Sequence, residues 1–307
     1  MRRRAAQLLL LPLLAGAVLS GCGSGSTTTS ATAGAGLPKV AGSYGSKPTF
    51  DFPGKTPPTT LMSKVLRAGT GKAVVNGDLL VADYLGQVWQ GSVFDNSYDR
   101  KTPAGFVIGK GKVITGWDDV LVGVKVGSRV LMSIPPEKGY GAAGNTRAGI
   151  KGTDTLVFVV DVVASYNKSA NGDAKAVVQK VATPDVRVTG ALGAAPKVDV
   201  RKGARAPTAP RLTVLAKGTG SPVTAGLLIV QYVATKYTGG SAGSTFSRGE
   251  PAGVAVTATS NGNSFNLTRG VPLGSRVLLQ LPGPTGQPAV AVVVDLVAQP
   301  KPAAQTG

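Results

Sequence analysis

The sequence predicts an α+β fold in two tandem copies, each a mainly antiparallel, twisted sheet wrapped on one short helix. Three observations predict it. Blocks of sequence recur in order: Leu66-Arg67-Ala68-Gly69-Thr70-Gly71 returns as Leu215-Ala216-Lys217-Gly218-Thr219-Gly220, and Val126-Gly127-Ser128-Arg129 as Leu273-Gly274-Ser275-Arg276. Val159-Val160-Asp161-Val162-Val163 returns as Val293-Val294-Asp295-Leu296-Val297. Ordered self-similarity of this kind marks a duplicated unit. Within the first copy, 79–85, 129–134 and 155–163 are rich in Val, Leu and Ile and bounded by Gly, Pro or Asp, as strands are. One helix is expected, near 116–122, where Trp117, Val120 and Leu121 fall at i, i+3 and i+4 and Asp118 and Asp119 sit near its start.

Taken from the N-terminus, the chain opens with a basic head, Arg2-Arg3-Arg4, and an apolar stretch over 5–19 that is short for a bilayer span. The stretch ends in Leu19-Ser20-Gly21-Cys22, which resembles the bacterial lipobox and implies lipidation of Cys22, the only cysteine. The expected organisation is a leader over 1–22 and a Gly/Ser/Thr/Ala tether over 23–36. A first domain over 37–166, a linker over 167–185, a second domain over 186–298 and a tail over 299–307 follow. Pro135-Pro136 ends the strand at 129–134.

Composition removes several chemistries. The 307 residues contain no His, which excludes Ser-His-Asp and Cys-His pairs and imidazole metal sites; one Cys excludes an intramolecular disulfide or a thiolate zinc cluster. The net charge is +18, and residues 167–307 carry fifteen basic against five acidic residues. A nucleic-acid partner is not expected for an exported chain with 5% aromatics; anionic lipid head groups or envelope polymers fit the charge better, beside a merely solvated basic surface.

Read in order, the first copy contains Val81-Ala82-Asp83-Tyr84, then Val93-Phe94-Asp95-Asn96, then Phe106-Val107-Ile108-Gly109-Lys110-Gly111-Lys112-Val113-Ile114-Thr115-Gly116-Trp117. Ile134-Pro135-Pro136, Gly139-Tyr140-Gly141 and Thr155-Leu156-Val157-Phe158 complete the string. Over about 64–163 this resembles the FKBP-type peptidyl-prolyl isomerases. The resemblance implies that Trp117 floors an apolar pocket for a substrate proline, with Tyr84, Phe94, Val113, Ile114 and Phe158 as walls and Asp95 and Tyr140 at the rim. It further implies that the Ile114 backbone N–H binds a substrate carbonyl and that Arg100 pairs with Asp95. The catalytic set is then Tyr84, Phe94, Asp95, Ile114, Trp117, Tyr140 and Phe158, with Arg100, Phe106, Val113 and Ile150 as further substrate-binding residues and neither metal nor cofactor. Ala104 stands where an aromatic wall residue is common and Asn145 where His is often seen, so a pocket more open on that side is expected.

The second copy looks degenerate. Tyr232 and Phe246 survive, but Ser247 follows where Asp95 is expected, the Val113 to Trp117 motif has no counterpart, and a short Pro/Gly loop over 282–288 replaces the Tyr140 loop. Two functions stay open at this level. One is a peptidyl-prolyl isomerase acting on exported proteins from the outer face of the cell membrane. The other is a non-catalytic lipoprotein that binds proline-containing polypeptide segments or acts as a chaperone.

Overall fold

The computed structural model describes residues 36–259 and 263–304; the leader, Cys22 and nearly all of the tether lie outside the described residues. The chain begins with an antiparallel hairpin of β1 (Lys39–Ala41) and β2 (Thr49–Asp51). The first sheet follows, built from β3 (Met62–Arg67), β4 (Leu79–Val88), β5 (Val93–Asn96), β6 (Ala104–Val107), β7 (Arg129–Ile134) and β8 (Leu156–Tyr166). Its order is β3-β7-β8-β4, and the long β4 continues by pairing with β5 along one half and β6 along the other. Every pair is antiparallel.

The central strands read as continuous apolar runs because both faces are covered. On one face Leu80, Ala82, Tyr84, Val130, Met132, Ile134, Phe158 and Val160 pack with Trp117 and Leu121. These last two belong to α1 (Thr115–Leu121), which lies between β6 and β7 in the chain. On the other face Leu131, Val157, Val159 and Trp89 are covered by Leu37, Val40, Phe50 and Phe52 of the β1–β2 segment. The helix stops at Gly123, whose φ of +87° glycine adopts freely and whose N–H is taken by the Val74 carbonyl.

The second half repeats the plan. It comprises β9 (Val177–Val178), β10 (Val186–Thr189), β11 (Lys197–Val200), β12 (Arg211–Lys217) and β13 (Gly226–Lys236). β14 (Ser241–Ser244), the single turn α2 (Thr245–Arg248), β15 (Ala252–Val256), β16 (Arg276–Leu281) and β17 (Val290–Ala298) complete it. The order β12-β16-β17-β13, with β14 and β15 both on β13, is that of the first sheet, and the β10–β11 hairpin stands where β1–β2 stands before it.

Side-chain bonds repeat too. Arg129 pairs with Asp161 at 2.7 Å and Arg276 with Asp295 at 2.6 Å, all four side chains buried. Each arginine also donates to carbonyls of the preceding hairpin region, Ser46 in one half and Ala194 in the other, so the ion pair is solvated by backbone rather than water. Ser128 and Ser275 each accept the N–H of a glycine, Gly69 and Gly218, at 2.9 Å.

Two boundaries differ from expectation. Residues 177–178 of the expected linker form β9 on the edge of the second sheet, and the Asp173 N–H bonds to the Gly274 carbonyl. The expected tail is fastened as well: Gln299 bonds Thr224, and the Ala303 N–H reaches Asp83 in the first sheet.

Candidate functional site

β4 brings Tyr84, β5 brings Phe94 and Asp95, β6 brings Phe106, α1 brings Trp117 with Ile114 just before it, and β8 brings Phe158. These side chains, with Val113 and Tyr140, line one cavity of about 600 Å³. Trp117 is the hub: its ring centre lies 4.8 Å from Phe106, 5.3 Å from Phe158 and 5.8 Å from Tyr84, each at a steep angle. Phe94 meets Phe158 at 5.5 Å. Edge-to-face contacts place ring edges against ring faces and hold the walls rigid.

Two glycines make room. A Cβ on Gly86 would stand 2.6 Å from the rings of both Phe94 and Phe158, so a strand residue with any side chain would displace the wall. A Cβ on Gly116 would stand 2.7 Å from Ile134, so glycine lets the Trp117 turn rest on the sheet.

The rim is polar and interlocked. The Tyr84 hydroxyl donates to Asp95, and Arg100 donates to the other Asp95 oxygen at 2.6 Å and to the Tyr84 hydroxyl at 2.9 Å. The guanidinium also lies over the Tyr84 ring, 5.7 Å from its centre. Burial first, and then the hydrogen bond to Asp95, push the Tyr84 phenol up to about 12, so it stays a neutral donor across the physiological range. Arg100 and Asp95 are nearly half exposed, which limits their ion pair to about 0–1 kcal/mol. Tyr140 is 38% exposed at the mouth.

Arg100 acts on the rim from outside, since it does not line the cavity. Ile150, expected among the substrate contacts, does not line it either. It is 3% exposed and sits in the same core as Tyr84, Trp117 and Phe158. Its backbone closes a small loop with Asn145 (N–H to carbonyl, 2.8 and 2.9 Å), and the Asn145 side chain accepts the Ala148 N–H. Ile150 is therefore the peg of the loop that follows Tyr140, because an aliphatic side chain between two glycine-containing turns anchors the loop by entering the core. Ala104 lies on β6 opposite Ala82 and lines no part of the cavity.

Sequence reasoning missed Gly111, Lys112, Thr115 and Gly139 in the lining. It also missed the work of Asp118. That carboxylate accepts the N–H groups of Gly109 at 2.6 Å and Gly111 at 2.8 Å, fastening to α1 the turn that leads to Val113 and Ile114. The signal was present: an acid at a helix start beside a Gly-x-Gly turn, whose positive-φ residues leave N–H groups free to converge on an anion.

The second half offers an internal comparison. Tyr84 and Tyr232 each donate their N–H to a hydroxyl, of Ser97 and Thr245 respectively, which fixes the alignment. Gly86 then pairs with Asp95 and Phe158, whereas Ala234 pairs with Gly243 and Val292. The position of Asp95 is thus held by Gly243, not by Ser247 as expected, and Phe246 lies further on in α2. Val254 replaces Phe106 in register. Asn266 accepts the Thr257 N–H as Asp118 accepts that of Gly109, which sets Phe265 in the place of Trp117. Arg248 survives on Tyr232, donating to its hydroxyl at 3.0 Å. The second half keeps the frame and the Tyr–Arg stack but has lost the carboxylate and most of the ring set.

A family model described as FKBP-type peptidyl-prolyl cis-trans isomerase matches residues 70–163. The chain is 40% identical over 119 residues to an FK506-binding protein of Streptomyces anulatus, covering 38% of this chain and 96% of that one. It is 39% identical over 97 residues to the peptidyl-prolyl cis-trans isomerase FKBP15-2 of Arabidopsis thaliana, covering 32% of this chain and 59% of the relative. It is also 39% identical over 121 residues to the FKBP-type isomerase FkpA of Escherichia coli K12, covering 39% of this chain and 43% of that one. With the cavity lying inside the matched span, the chain belongs to the FKBP-type peptidyl-prolyl cis-trans isomerase family.

Proposed function

We propose that the isomerase reaction runs in the first half alone, in the cavity floored by Trp117, and that the second half keeps the fold without the reaction. The observation that carries this reading is the aromatic box itself. Trp117, Phe106, Phe158 and Tyr84 enclose apolar space under a polar rim in one copy; in the other Tyr232 keeps its place, but the smaller Phe265, Val254 and Val292 stand where Trp117, Phe106 and Phe158 do.

Rotation about an X–Pro bond faces a barrier of roughly 18–20 kcal/mol because amide resonance resists twisting. The twisted amide has lost that resonance and carries less charge on its carbonyl than the planar form. An apolar box therefore suits the transition state better than the ground state, and only such differential binding raises the rate. The proline ring sits on Trp117 between Phe106 and Phe158. The backbone N–H of Ile114, to which no other described residue offers an acceptor, orients a substrate carbonyl. Asp95, held by Tyr84 and Arg100, presents fixed negative charge at the edge of the box, and Tyr140 covers the mouth. None of these steps needs a nucleophile or a proton relay.

The substrates we propose are proline-containing segments of exported proteins, whose folding can wait on X–Pro isomerisation. The leader and Cys22 support lipid anchoring at the outer face of the cell membrane; no helix among the described residues is long and apolar enough to cross a membrane. The basic second half supports attraction to anionic lipid or envelope polymers. The test is refolding of a protein limited by proline isomerisation. Catalytic amounts of residues 37–307 should accelerate the slow phase, and an unchanged slow phase would overturn the reading.

A further inference from the structure

Each half of the chain hands its trailing segment to the other half at one equivalent point. β4 carries Asp83 directly before Tyr84, and β13 carries Gln231 directly before Tyr232; both side chains are buried. Asp83 accepts the N–H of Ala303, in the segment that follows β17, at 2.7 Å. Gln231 donates to the Lys168 carbonyl, in the segment that follows β8, at 3.1 Å. Around this exchange Leu79 and Val81 share an apolar cluster with Leu227 and Ile229.

The two crossings differ in chemistry. Gln231 is neutral, and its Oε1 has no partner among the described residues. Asp83 is a carboxylate at 2% exposure, and burial raises its pKa against the opposing pull of its two hydrogen bonds. Those bonds come from the Ala303 N–H and the Ser97 hydroxyl (2.8 Å). A buried carboxylate holds such donors strongly and tolerates their loss poorly. Ser97 in turn accepts the Tyr84 N–H at 3.0 Å and donates its own N–H to the Tyr84 carbonyl at 2.9 Å. Ser97 follows Asp95 by two residues, so these bonds set where β5 and its acid stand relative to the Tyr84 ring.

The segment is tied at both ends. Gln299 accepts from the Thr224 N–H and donates to the Thr224 carbonyl in the second half. At the other end Ala303 and Ala304 lie against Gly45, where a Cβ would stand 2.6 Å from the Ala303 carbonyl oxygen.

We propose that residues 299–304 form a strap by which the second half holds the isomerase site of the first in order, with Asp83 as a positioning residue acting through Ser97 on Tyr84 and Asp95. This rests on the site reading given above. The unreactive copy thereby gains a structural role, since its last strand delivers the strap.

The test uses the chain from residue 23 onward. Ala303→Pro removes the N–H and keeps the segment, and Ala303→Gly keeps the N–H. The strap predicts that Ala303→Pro speeds amide hydrogen exchange at Tyr84 and Ser97 about tenfold and lowers kcat about fivefold with KM within twofold, while Ala303→Gly matches the unaltered chain. In an Asp83→Leu background, which has no acceptor for the Ala303 N–H, Ala303→Pro should add no further loss. The proposal is overturned if Ala303→Pro leaves exchange unchanged, if exchange rises while kcat holds, or if the same loss recurs on Asp83→Leu. Should the unaltered chain prove inactive, the site reading fails, and the exchange arm still decides whether the strap orders Tyr84.

Discussion

Asp95 and Gly243 occupy the same register position in the two halves, one opposite Gly86 and the other opposite Ala234. The difference is larger than one side chain. Gly86 leaves space into which the Phe94 and Phe158 rings close, and Ala234 already carries the Cβ that would collide with such rings. Gly86→Ala is therefore expected to lower kcat/KM at least tenfold while costing a few kcal/mol or less of stability, as overpacking does. A proline-peptide isomerisation assay with a parallel urea titration checks both numbers. Ala234→Gly should confer no activity, because groups that act as a unit are not restored singly.

Trp117 sits within 6 Å of three other rings and supplies the floor. Trp117→Leu should lower isomerisation by two orders of magnitude or so with the fold retained, as judged by circular dichroism. Trp117→Ala is a poorer test, since truncating a buried Trp costs about 3–5 kcal/mol.

Tyr84 couples the site to alkaline pH in a defined direction. Its folded pKa, about 12, lies above the usual 10, so its neutral form is favoured in the folded state. Its contribution is complete below pH 10 and is lost as pH rises from 10 through 12. Tyr84→Phe should flatten the fall of stability across that window and leave stability near pH 7 shifted by no more than the lost hydrogen bonds, about 1–2 kcal/mol. Urea unfolding at pH 7, 10 and 11 measures it.

The buried pair Arg129–Asp161 tests the frame rather than the site. Arg129→Met strands a buried carboxylate and should cost about 3–5 kcal/mol. Tyr98, whose hydroxyl also bonds Asp161 and whose phenol is held well above its usual pKa by burial, cannot replace the lost charge. Thermal unfolding of the full chain reads the loss.

Much of this was legible beforehand, for identifiable reasons. The strand over 129–134 was bounded correctly because Pro135-Pro136 can neither donate to a ladder nor continue it. The ring set was legible because its members come in a fixed order along the chain. What sequence could not supply was register. Matching Phe246-Ser247 to Phe94-Asp95 follows side-chain likeness, whereas the ladder obeys the spacing that relates Tyr84 to Tyr232 and so selects Gly243. Ile150 was misplaced because an aliphatic residue in a loop reads the same whether it faces a ligand or plugs a core. The crossing of residues 299–304 to Asp83 joins positions 220 apart, and nothing local to a Pro/Lys/Ala tail announces a carboxylate waiting in the other sheet.

The central claim is that one cavity, floored by Trp117 in the first half, carries all the isomerase activity of this chain. The most direct measurement is kcat/KM on a proline peptide for residues 37–307, unaltered and as Trp117→Leu, each shown folded by its unfolding midpoint. Catalysis by the unaltered chain and near-background rates for the variant are the expected result. A folded Trp117→Leu chain that keeps most of its activity would contradict the claim and move the reaction elsewhere, first of all to the second half around Tyr232.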